Sequence, residues 1–171
     1  MAARKHYMTV ISEHTGERVV SPGEILTNEL HRQHITQKDL AIMLGRSEKF
    51  ISQLITGKVR LTYDVAFDLE RVLGVPTAKW NAAEAAVQDE LTRRARKAAL
   101  DTPEVHSWAA GFPYDKMAEQ GMVPATGTPV ERAANLLSYF GVSSPEAYEA
   151  CCRQQKGLAH FKQRKEAVDA L

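Results

Sequence analysis

Apolar and polar positions follow a helical period along most of this chain. From Pro22 onward, Ile25, Leu26 and Leu30 recur on one side of a 3.6-residue repeat, and the segment ends near His34. Ser21-Pro22-Gly23-Glu24 opens it with an N-cap serine, a proline at the first helical position and a glutamate placed to complete a capping box. Thr36–Leu44, Ser47–Ile55 and Thr62–Leu73 then each open on Thr or Ser, and Gly45, Gly57 and Gly74 follow them as stops. Thr77–Ala99 predicts a long helix with Trp80, Val87 and Leu91 on one face. It ends in Arg93–Lys97, cations that complement the C-terminal end of a helix dipole. Asp101-Thr102-Pro103 breaks the pattern, and short helices are predicted at Pro113–Gln120, Pro129–Tyr139, Ser144–Arg153 and Gly157–Ala170. Before Pro22, the β-branched Thr9, Val10, Ile11, Val19 and Val20 surround a turn signal at Thr15-Gly16; a small hairpin and a loose arm both fit. The expectation is an all-α protein with an N-terminal arm over 1–21, a helical domain over 22–76 and a connecting helix over 77–100. A small helical domain for dimerisation or partner binding is expected over 101–171.

One stretch within that pattern carries more than fold. Leu40, Ala41 and Leu44 face Ile51, Leu54 and Ile55 across Gly45, as two short helices would if they crossed steeply and shared a buried seam. Ala41 is small where the second helix passes, and Gly45 permits the left-handed backbone that ends the first. Leu61, Val65, Ala66, Leu69 and Leu73 would close the core with Ile25, Leu26 and Leu30. This is a helix-turn-helix arrangement. The apolar seam leaves Arg46, Ser47, Glu48, Lys49, Ser52 and Gln53 on the outward face of the second helix, with Lys58 and Arg60 just beyond. Such side chains read base edges in the major groove and hold phosphates. Between Thr36 and Arg60 the bases Lys38, Arg46, Lys49, Lys58 and Arg60 outnumber Asp39 and Glu48, so the patch is positive although the whole chain is only +1. Gln37, at a helix start with free N–H groups, is placed to meet the phosphate backbone.

From Pro22 to Ala86 the chain closely resembles the Cro/lambda-repressor-like (XRE) helix-turn-helix family, and within it the HigA/VapI antitoxin branch. The residues that carry the resemblance are Pro22-Gly23, Thr36-Gln37-Lys38-Asp39-Leu40-Ala41, Ile51-Ser52-Gln53-Leu54-Ile55-Thr56-Gly57-Lys58, Leu73-Gly74 and Trp80. It implies a lambda-repressor-like domain and DNA contacts from Gln37, Arg46, Glu48, Lys49, Ser52, Gln53 and Lys58. Phe112–Ala150 more loosely resembles the connector that precedes an ImmA/IrrE-type zinc metallopeptidase domain. The H-E-x-x-H helix such a peptidase needs is not in the sequence, so a connector without the enzyme is expected.

Composition narrows the function further. No apolar run approaches the roughly 20 residues of a membrane span, and the basic start lacks an apolar signal core. The adjacent Cys151 and Cys152 cannot make a disulfide framework, so a reducing, cytoplasmic setting is expected. His31 and His34 share a helix face without further ligands nearby, and no nucleophile frame is present; neither metal, cofactor nor catalysis is expected. Tyr63, Phe67 and Trp80 read as core or subunit-interface residues in preference to a base-stacking platform. The basic run Arg153, Lys156, Lys162, Arg164 and Lys165 reads either as a second DNA contact or as a solvated helix. The sum is a sequence-specific DNA-binding repressor of a prokaryote or its phage, acting as a homodimer on double-stranded DNA. Two alternatives stay open: an antitoxin that neutralises a RelE/HigB-like toxin, and a phage factor that uses its C-terminal helices on a host protein.

Overall fold

The computed structural model describes residues 9–12, 15–154 and 157–171. Among the described residues the protein is all-α apart from one two-stranded sheet. It divides into two compact units, Met1–Arg94 and Ala95–Leu171.

In the first unit, the open question before Pro22 resolves to a hairpin. Strands β1 (Val10–Ile11) and β2 (Arg18–Val19) pair antiparallel with Val10 opposite Val19. The rest of the expected arm, residues 1–8, 13 and 14, lies outside the described residues. Val10 is buried, Arg18 reaches Glu24 at 2.7 Å, and the Arg94 guanidinium donates to the Ile11 carbonyl, so each strand of the hairpin is tied to a helix.

Helix α1 (Pro22–Gln33) starts at Ser21, whose hydroxyl accepts from the Glu24 N–H at 3.2 Å. Helices α2 (Gln37–Met43), α3 (Glu48–Ile55) and α4 (Tyr63–Leu73) begin where the polar caps at Thr36, Ser47 and Thr62 predicted. At Thr36 the box is reciprocal: its hydroxyl accepts from the Asp39 N–H at 3.1 Å, while the Asp39 carboxylate takes the Thr36 N–H at 3.2 Å and its hydroxyl at 2.6 Å. The Thr36 hydroxyl thereby holds the Asp39 carboxyl below its ordinary value. Leu26, Leu40, Ile51, Ala66, Leu69 and Trp80 are fully enclosed and form the heart of this unit's core. The Trp80 indole N–H is satisfied by the Val75 carbonyl at 3.0 Å.

Helix α5 (Thr77–Ala99) corrects one expected face. Trp80 and Val87 are buried, but Leu91 is exposed and Glu90 takes the interior position instead. A buried carboxylate needs a partner, and Arg94, one turn on, supplies it at 3.2 Å. Arg93 likewise pairs with Asp89 at 2.9 Å, so part of the basic helix end is spent on acids one turn earlier.

The second unit contains a helix that the sequence reading passed over. Thr102-Pro103 is a start and not merely a break: Thr102 accepts from the Val105 N–H at 3.3 Å and caps α6 (Pro103–Ala110). After it come α7 (Tyr114–Glu119), α8 (Pro129–Phe140), α9 (Pro145–Arg153) and α10 (Ala159–Asp169). Their core is aromatic. Phe140 packs within 5.8 Å, centroid to centroid, of Phe112, Tyr139, Tyr148 and Phe161, and Trp108 adds edge contacts to Phe112 and Tyr148. Tyr114 is buried yet satisfied, donating to the Pro124 carbonyl at 2.7 Å and accepting from the Asn135 amide at 2.8 Å.

Candidate nucleic-acid interface

Helix α2 ends in the turn that its glycine requires. Gly45 sits at φ 61°, where a side chain would be strained, and the Gly45 and Arg46 N–H groups return to the carbonyls of Ile42 and Ala41 at 3.1 and 2.9 Å. Two residues after Gly45, Ser47 caps α3 through the Phe50 N–H at 3.1 Å. The two helices are therefore joined by a short connection that hydrogen-bonds back to α2 and caps α3, and Ile51, Leu54 and Ile55 anchor α3 to the core. The far end of α3 is held by α1. A Cβ on Gly23 would stand 2.0 Å from the Ile55 carbonyl oxygen, so only glycine lets the two helices come this close.

The anchored side of α3 leaves the other side open. Arg46, Ser47, Glu48, Lys49 and Ser52 are exposed, and Gln53 is half-buried. Lys38 is exposed and Gln37, first residue of α2, is half-buried beside it. Glu48, Lys49 and Lys58 make no side-chain hydrogen bond or ion pair among the described residues. Arg46 lies over the Phe50 ring, 5.7 Å from its centroid, which limits how far the guanidinium wanders. Sequence reasoning missed this role of Phe50, because Arg46 precedes the Ser47 cap and helical spacing does not relate the two. It missed Glu84 as well, for want of any local signal. The Glu84 carboxylate on α5 takes Arg60 and the Leu61 N–H, both at 3.3 Å, so Arg60 is a tied cation where Lys58 is a free one.

Residues 30–80 match the family model described as helix-turn-helix. This stretch is a helix-turn-helix domain. The match spans α2, α3 and α4 and supports a DNA-binding regulator of the Cro/lambda-repressor-like kind. No curated protein matches the chain.

The other candidates separate clearly. Trp80 belongs to the core, but Tyr63 and Phe67 do not: they are 77% and 55% exposed on α4, Phe67 beneath the Arg71 guanidinium at 5.2 Å. The basic run of the second unit is largely spoken for. Arg153 pairs with Glu149 at 3.7 Å, Lys165 with Asp169, and Arg164 donates to the Tyr139 carbonyl while stacking on that ring. Lys156 lies outside the described residues. Acids one helical turn away, which the sequence reading did not weigh, take up two of these charges. Among the described residues no group of His, Cys, Asp and Glu could hold a metal ion, and no helix is long and apolar enough to cross a membrane.

Proposed function

We propose that this protein is a sequence-specific transcriptional repressor of the HigA-like branch, cytoplasmic and dimeric, that inserts α3 into the major groove of duplex DNA. The observation that carries the reading is the division of labour on α3: Ile51, Leu54 and Ile55 are sunk in the core while Glu48, Lys49, Ser52 and Gln53 point away from it. In that pose Lys49, Ser52 and Gln53 face base edges, Glu48 accepts from cytosine amino groups, and Lys38, Arg46, Lys58 and the α2 start at Gln37 approach phosphates. Ser47 acts indirectly, as the cap that fixes the start of α3, and Arg60 contributes less than its charge suggests because Glu84 holds it. Two copies would place two α3 helices about one helical turn apart on a palindromic site.

A footprint on the DNA flanking the gene, followed by salt titration of variants, tests this. Lys49→Ala or Gln53→Ala costs about 1–3 kcal/mol on the preferred site and relaxes preference at one position. Lys58→Ala weakens all sequences alike and lowers the salt slope by about one. Unchanged binding in all three variants rejects the assignment of this face.

A further inference from the structure

Helix α4 exposes an aromatic stripe whose charges complement themselves, and we infer that this face is the contact between two copies of the chain, antiparallel and centred on Phe67. The inference rests on the dimeric DNA-binding reading above and supplies its missing interface. Among the described residues of the first unit Tyr63 and Phe67 are the most exposed aromatic side chains, and Val65, Ala66 and Leu69 are buried on the opposite side of the same helix. At about 100° per residue, Asp64 and Arg71 fall about 60° and 40° to one side of Phe67, and Tyr63 and Glu70 about 40° and 60° to the other. Asp64 lies about 4.5 Å towards the N-terminus from Phe67 and Arg71 about 6 Å towards the C-terminus.

A two-fold axis lying across the helix through Phe67 keeps each side and exchanges the two ends. It brings Asp64 of one copy to Arg71 of the other, while the Phe67 rings meet at the centre. Opposite charges face each other at both ends. A parallel arrangement would instead set Arg71 against Glu70, whose carboxylate is already engaged by the Thr77 N–H at 2.6 Å and the Thr77 hydroxyl. Asp64 has no such commitment among the described residues, and antiparallel helix dipoles attract. Arg71, stacked on its own Phe67, is held in place for the second copy.

The stripe is small. Two partly exposed aromatics supply well under the roughly 800 Å² per partner of a standard interface, so the dimer is weak in free solution and consolidated by adjacent half-sites on DNA. Sedimentation equilibrium of the full chain without DNA, over about 1–300 µM, reads it directly. The wild type is expected to pass from monomer to dimer within that range, and Phe67→Glu or Arg71→Glu to weaken the dimer at least tenfold with an unchanged circular-dichroism spectrum. The double variant Asp64→Lys/Arg71→Glu restores it, because only antiparallel pairing rebuilds both contacts. A wild type monomeric throughout, a dimer indifferent to both single variants, or a double variant no better than Arg71→Glu overturns the proposal. Binding of a single half-site duplex is read separately: its loss in the wild type would reject the DNA reading, whereas a normal half-site affinity with lost cooperativity in Phe67→Glu supports both.

Discussion

Replacing Gly23 with alanine tests the close approach on which the placement of α3 depends. An alanine Cβ would lie 2.0 Å from the Ile55 oxygen, 2.7 Å from its carbonyl carbon and 3.0 Å from its Cα, where ordinary contact begins at 3.4 Å. The shortfall at the oxygen is 3.4 − 2.0 = 1.4 Å, and every atom in the way is backbone, so no rotamer change relieves it. Gly23 has no positive φ, so the alanine itself fits its own helix and gains up to about 1 kcal/mol in helix propensity. Against that stands overpacking that must move one helix from another, about 3 kcal/mol at the upper end of the usual range. The clash wins by about 2 kcal/mol. For a unit of this size, that lowers the midpoint of its thermal transition by about 10 °C. Differential scanning calorimetry of the full chain reads the shift, and operator affinity should fall with it because Ile55 ends α3. A midpoint equal to or above that of the wild type would show that α1 and α3 are not packed this tightly, and would refute the argument.

Other consequences follow from named contacts. The Asp39 carboxyl is held low by the Thr36 hydroxyl, so its contribution to stability is present above its ordinary value of 3.8 and is lost as pH falls through the lowered folded value. Thr36→Ala should therefore flatten the acid limb of a pH–stability curve, read by urea titration between pH 2 and 6, roughly the carboxylate range. In the second unit, Phe140→Ala removes the hub of the aromatic cluster and should cost about 3–5 kcal/mol, seen as loss of that unit's transition in calorimetry. Arg60→Ala should lower the salt slope of DNA binding by clearly less than Lys58→Ala does, since Glu84 already neutralises Arg60. Equal slopes would mean that the ion pair opens on DNA.

The expected helices of the first unit, the polar starts at Ser21, Thr36, Ser47 and Thr62 and the left-handed stop at Gly45 are all met in the structure. These features are local: a capping hydroxyl, a φ that only glycine adopts freely and an apolar residue every third or fourth position act within a few bonds or one helical turn. The residues that α3 turns away from the core were legible for the same reason, because the seam that must be buried defines its opposite.

Tertiary structure alone decided the rest. Whether Val10 and Val19 pair depended on contacts beyond the strands themselves: Glu24 holds one strand through Arg18, and Arg94, distant in sequence, holds the other through Ile11. That Leu91 faces water while Glu90 is buried depended on Arg94, one turn on, reaching the Glu90 carboxylate. Glu84 reaching Arg60, Gly23 touching Ile55, and Tyr63 and Phe67 lying bare on α4 all depend on which helix passes where. Periodicity names the side of a helix that seeks cover, but only the packed chain shows which neighbour provides it and which apolar side chains are left without one.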